Sequence, residues 1–238
     1  MRKFTILFIG LALLAFGMKS SDAATVNLTL TKLPGLTGGF PALTAVYYAD
    51  LSGLGLTQVQ SITIQDASFN IGGSPGQFSG FDLDAIKLSG TLAAGAAGVN
   101  ALTGLGVFDF TSTGTFFTPG SQRVPVDPKL FGTDGTGNQV NNSVATLGQF
   151  DGDATTIGAD GFISMGDCGI LSFNLTALVD LTSPVYLYLG EVGDNGEAVA
   201  GTISVSDAPV GVPEPSTLLL LGSGLVGLVG YGRRRLKK

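Results

Sequence analysis

The chain has 238 residues, a charged fraction of 13 %, 37 glycines, a mean hydropathy of +0.41 and a formal net charge of −6. This balance excludes a highly charged disordered chain and a charge-rich helical bundle, and its acidity excludes a nucleic-acid binder, which must neutralise phosphates with a basic surface. The charge is uneven: residues 1–24 carry +2, residues 213–238 carry +4, and residues 25–212, where only Lys32, Lys87, Arg123 and Lys129 oppose sixteen acids, carry −12.

Arg2 and Lys3 precede an apolar run from Phe4 to Phe16, and small residues follow at Ser21, Ala23 and Ala24. That order predicts a secretory signal peptide over residues 1–24, cleaved after Ala23 or Ala24. The run is shorter than the roughly 20 apolar residues of a membrane span.

Residues 25–209 form a β-rich exported domain in this reading. Val26, Leu28 and Leu30; Ile62 and Ile64; Leu171, Phe173 and Leu175; Val185, Leu187 and Leu189; and Ile203 and Val205 recur at every second position. A strand with one buried face has that period. Turns rich in Gly and Pro separate the sets, as at 72–76 and 132–137. The stretch closest to a helix, Leu92–Ala101, is weakened by Gly95 and Gly98. The expectation is an all-β sandwich of jelly-roll type, with long decorated loops or ten or more strands, and with 119–143 as a loop rather than a domain boundary. Cys168 is the single cysteine. It cannot form an internal disulfide and reads first as a small buried apolar residue, with a reactive or intermolecular thiol left open.

Residues 210–238 read as a sorting tail. Val212-Pro213-Glu214-Pro215-Ser216 is followed by an uncharged stretch to Gly232 and then by Arg233, Arg234, Arg235, Leu236, Lys237 and Lys238. As a helix, the stretch from Ser216 to Gly232 would reach about 25 Å, a little under the ~30 Å hydrocarbon core, and the cations behind it would hold their end in the cytoplasm. The two prolines favour an extended, accessible segment around Glu214. In this order the features resemble the PEP-CTERM sorting tail of bacterial exported proteins, which also carries the label of an ice-binding-protein C-terminal domain. The resemblance implies that a membrane-embedded exosortase recognises Pro213, Glu214 and Pro215, that 216–232 is a transient transmembrane anchor, and that Arg233, Arg234 and Arg235 are the retention signal.

With no histidine in the chain, Ser-His and Cys-His nucleophiles, His-ligated zinc and imidazole acid–base catalysis are excluded. No phosphate-binding loop motif is present. Carboxylate chemistry remains. Asp82 with Asp84, or Asp151 with Asp153, offers the two acids of a carbohydrate-acting hydrolase, although acidic turn residues also serve plain structural ends. Asp151, Asp153, Thr155 and Asp160 offer oxygen ligands for Ca²⁺ in one loop, without the glycine and glutamate of an EF-hand. Asp82 and Asp84 share one face of a strand, taken as the outer one. No Trp supplies a sugar platform; Tyr47 and Tyr48 read as packed, while Tyr186 and Tyr188 share the face opposite Leu187 and suggest an exposed aromatic pair. No Thr-x-Thr ladder repeats along the domain.

The sequence therefore predicts an exported, non-enzymatic cell-envelope or extracellular-matrix protein. It would be held at the inner membrane as a precursor, processed by exosortase, and linked, by the analogy of its tail alone, to exopolysaccharide and biofilm. No cofactor is required, and Ca²⁺ is the one considered. The competing readings are the two-Asp hydrolase and an ice- or sugar-binding module.

Overall fold

In the computed structural model the described residues are 23–69, 71–72, 74–153 and 161–211, and Ala24–Val210 forms one unit. Among them are ten strands: β1 (Thr25–Asn27), β2 (Thr31–Thr37), β3 (Thr44–Asp50), β4 (Gln58–Gln65), β5 (Asp82–Ser89), β6 (Thr115–Thr118), β7 (Ile163–Ser164), β8 (Ile170–Asp180), β9 (Tyr186–Val192) and β10 (Thr202–Ser206). They build two five-stranded antiparallel sheets, ordered β1-β10-β4-β8-β6 and β2-β3-β9-β5-β7. From β3 onward each strand crosses to the opposite sheet. Without the edge strands β2 and β6, the orders β1-β10-β4-β8 and β3-β9-β5-β7 are those of a jelly roll.

The alternating residues seen in sequence account for much of this. Ile62, Ile64, Leu171, Phe173, Ile203 and Val205 from one sheet meet Leu187, Leu189, Ile86 and Leu88 from the other in one core. Val59 also faces inward although it stands an odd three positions from Ile62, because the β4–β8 register shifts between Val59 and Ser61 and the bulge absorbs the extra residue. Phe108 and Phe110 stack with ring centroids 5.7 Å apart, and both stand edge-on to Phe173. This is the arrangement that ring quadrupoles favour.

The second sheet is covered on its outer face as well. The 3₁₀ turn Ala96–Ala101 follows β5 and packs over Val46, Ala85 and Tyr188 with Leu33, Val99 and Phe150. Lys87 donates to the Val99 carbonyl at 2.9 Å. Asn100 exchanges two hydrogen bonds with the Phe150 backbone, accepting from its amide at 3.0 Å and donating to its carbonyl at 2.8 Å. The expected exposed pair of tyrosines is thereby corrected. Tyr188 is fully buried, its hydroxyl accepting from the Ala93 amide and donating to the Thr91 carbonyl, both at 2.8 Å, while Tyr186 is half-buried. The cover that hides Tyr188 comes from a loop whose docking its own sequence does not announce.

Cys168 is a second correction, because it is exposed. It stands in the turn entering β8 with φ +68°, and the Asp66 carboxylate fixes its backbone amide at 2.9 Å. The backbone there serves the turn, and the side chain is left outside. The described residues between β6 and β7, 119–153 and 161–162, are joined to the turn before β8 by the bridge Ser121↔Asp167. Among the described residues no helix is long and apolar enough to cross a membrane. Residues 1–22 of the expected signal peptide and the expected 216–232 span lie outside the described residues.

Candidate functional site

Strands β4 and β9 end, and β3, β5, β8 and β10 begin, at one end of the sandwich, as the pairs Thr44↔Val192, Leu83↔Glu191, Gln65↔Ile170 and Thr202↔Gln65 establish. Asp66, just past β4, ties the two sheets together there. Its buried carboxylate accepts from the amides of Ser68, Phe81 and Cys168, which lie beside β4, β5 and β8.

On the outer face of the second sheet at this end, Thr44, Gly190 and Asp84 stand side by side on β3, β9 and β5. A Cβ on Gly190 would lie 2.9 Å from Thr44 Cγ2, 3.0 Å from Phe150 Cδ1 and 3.1 Å from the Cβ of Asp84. Only glycine leaves room for the segment 147–152 to lie down over Asp84. Asp84 is buried; its Oδ2 accepts from the Thr44 hydroxyl at 2.6 Å and its Oδ1 from the Gly152 amide at 3.2 Å. Burial, reinforced by the neighbouring Asp151, pushes its carboxyl up to about 8. Asp82, two residues earlier on the same face, accepts from the Ser164 hydroxyl, and burial, with Glu197 and Asp153 nearby, holds its carboxyl well above the ordinary range. The outer-face placement of both acids agrees with the sequence, but the covering segment keeps them from solvent.

Asp151 and Asp153 belong to that covering segment. Asp151 accepts from the Thr146 hydroxyl at 3.3 Å, and its backbone carbonyl accepts from Gly39 at 2.6 Å. The Asp153 amide donates to Ala42 at 3.0 Å. Oδ1 of Asp153 is buried and has no hydrogen-bond partner among the described residues, and burial raises that carboxyl. The structure thus sets the two sequence-predicted acids beside Asp84 and Asp82, a pairing the sequence reading did not make. Thr155 and Asp160 lie outside the described residues, as do Pro213, Glu214, Pro215, Arg233, Arg234 and Arg235. Among the described residues no three His, Cys, Asp or Glu side chains are grouped to hold a metal ion.

A second group of charges at the same end escaped the sequence reading. Arg123, in the β6–β7 connection, grips Asp167 and also donates to the Ser68 hydroxyl at 3.2 Å and the Gly72 carbonyl at 3.1 Å. Glu191 of β9 is fully buried and accepts from the amides of Asn195, Glu197 and Ala198, capping the β9–β10 loop. Its charge and hydrogen bond, after burial, raise the Tyr47 hydroxyl. The signal available in sequence was the scarcity of cations: Arg123 is one of four in the whole acidic segment.

Carboxyls gathered in a covered site, where burial disfavours their charged form, can share a proton or exchange it for a hard cation.

The described residues therefore make a two-sheet antiparallel β domain of acidic character, followed by a processing segment. A family model, the PEP-CTERM protein-sorting motif, matches residues 211–235, in agreement with the resemblance of the tail. No curated protein and no solved structure matches the chain. The motif implies an exported protein that is recognised by an exosortase and processed at the cell envelope.

Proposed function

We propose that this chain is a non-enzymatic component of the cell envelope or extracellular matrix, anchored as a precursor through residues 216–232, released or re-anchored by exosortase, and working beside exopolysaccharide in biofilm. The observation that carries the reading is the sorting motif on residues 211–235. The −12 charge of residues 25–212 supports a matrix role, because such a domain can hold cations between anionic polymers and is repelled by bare anionic surfaces. The burial of Asp82 and Asp84 speaks against their use on a polysaccharide chain.

Ca²⁺ is proposed as a ligand of Asp151 and Asp153, with Thr155 and Asp160 completing the set. The buried, unpartnered Asp153 Oδ1 favours it, since a carboxylate oxygen without a donor is costly unless a proton or a cation sits on it.

The sorting reading is tested by expressing the tagged chain in a host with an exosortase system and measuring the mass and cell fraction of the product. The wild type is expected at the surface or in the matrix without its tail. The Pro213→Ala, Glu214→Ala, Pro215→Ala triple variant is expected at full length in the membrane fraction. Identical mass and fraction for the two would overturn the reading. Binding of exopolysaccharide without turnover would support the matrix role, and hydrolysis lost on Asp→Asn substitution would replace it with the hydrolase.

A further inference from the structure

Glu197 is fully buried where the β9–β10 loop closes the end of the sandwich. Its Oε2 accepts from the Asn195 side chain at 3.2 Å, and its Oε1 has no hydrogen-bond partner among the described residues. The nearest cation is Arg123, whose Nη2 stands 3.7 Å from Oε1 but is already engaged with Asp167 at 2.6 Å and Ser68 at 3.2 Å. The other charged groups facing Glu197 are acids on separate elements: Glu191 on β9, Asp66 past β4 and Asp82 on β5. Glu191 accepts from the amides of Asn195, Glu197 and Ala198. One guanidinium therefore serves a set of carboxyls that outnumbers it, and the member with an unbonded oxygen is the one to carry a proton.

We propose that Glu197 is a proton-operated latch on the β9–β10 loop: neutral, it lies closed against Arg123 and Glu191; ionised, it places a charge in a buried site where Arg123 is already engaged by Asp167, and loosens the loop. Burial, more than the neighbouring acids, lifts its carboxyl from 4.5 to about 8, so the latch opens across neutral to mildly alkaline pH. The loop it holds also braces the β4–β5 connection, because a Cβ on Gly72 would lie 2.5 Å from Asn195 Cγ. Loosening would free the neighbouring Phe69 and Ile71, which already stand exposed. The inference rests on the cluster alone and does not depend on the sorting reading.

The folded state keeps the Glu197 proton to higher pH than the unfolded chain, so this group's contribution falls as pH rises from about 4.5 to about 8 and is level beyond. Comparing melting temperatures of the full-length wild type and Glu197→Gln across pH 5 to pH 9 isolates this group from Asp82 and Asp84. The variant's advantage should grow with pH and exceed about 4 °C by pH 8.5. A difference that stays constant with pH overturns the proposal. Should Glu197→Gln not fold, hydrogen exchange of the wild type decides. Protection of the 193–201 backbone, corrected for intrinsic rates and referred to β4 and β8, should drop at least tenfold between pH 6.5 and pH 8.5. Protection that tracks the strands would overturn the latch.

Discussion

Arg123 holds Asp167 with one edge of its guanidinium: Nε lies 3.1 Å from each carboxylate oxygen and Nη2 lies 2.6 Å from Oδ1. The two side chains retain 11 % and 16 % of their exposure, so the pair is little screened by solvent. It joins the β6–β7 connection to the turn before β8, and through Ser68 and Gly72 it reaches the β4–β5 connection. Replacing Arg123 by Met leaves Asp167 without its cation in a site that is mostly desolvated and should cost about 2–4 kcal/mol of unfolding free energy. Lysine keeps the charge but not the planar fork and should recover less than half of that loss. Urea unfolding of the full-length variants at constant m-value measures both; a loss below about 0.5 kcal/mol for the Met variant would show that the pair carries no net stability.

Tyr188 supports a different prediction. Its hydroxyl is the partner of the buried Ala93 amide and of the Thr91 carbonyl, and it thereby pins the covering loop to β9. Tyr188→Phe keeps the ring in its cluster and removes only that hydroxyl. A buried amide left without an acceptor costs about 1–3 kcal/mol, and the expected destabilisation lies in that range. Hydrogen exchange should show the loss of protection centred on residues 91–96. An unchanged exchange pattern would mean that Lys87 and Asn100, bonded to Val99 and Phe150, hold the cover alone.

How much of this was legible depended on whether a strand had one covered face or two. β4, β8 and β10 show their period because polar residues face away from the core, as Thr63, Ser172 and Ser204 do between Ile62, Leu171 and Ile203. β3 gave no such signal: Ala45, Tyr47 and Ala49 enter the main core while Val46 packs beneath the covering loop, so Thr44–Asp50 reads as an unbroken run. β5 announced itself only through Asp82 and Asp84, and its bulge between Leu83 and Ile86 breaks the alternation. The site was legible in its ingredients and not in its assembly. Asp84 and Asp151 are 67 residues apart, and nothing local to either states that the segment 147–152 will cross β5. Nor does sequence reveal that the loops at this end touch backbone to backbone, where a Cβ on Gly80 would lie 2.4 Å from the Gly166 carbonyl carbon and one on Gly166 would lie 2.7 Å from that of Gly120. The sorting tail was legible because its signal is one of linear order, which needs no fold to be read.

The proposed calcium site makes the last prediction. Asp153 brings a buried oxygen with no donor, and Asp151 lies beside Asp84, whose carboxyl burial has raised to about 8. A divalent cation bound by Asp151 and Asp153 would satisfy that oxygen and offset the mutual repulsion of the acids around it. A ligand that binds only the folded state stabilises it by mass action, by about 2.7 kcal/mol at a hundredfold excess over its dissociation constant. For a chain of this length that corresponds to a rise of roughly 5–11 °C in melting temperature. The full-length chain should therefore melt higher in millimolar Ca²⁺ than in EDTA. Asp153→Asn, which supplies the oxygen without the charge, should abolish most of the difference. Coincident melts of the wild type in Ca²⁺ and EDTA would remove calcium from this loop and leave protons as the means by which its carboxyls are kept neutral.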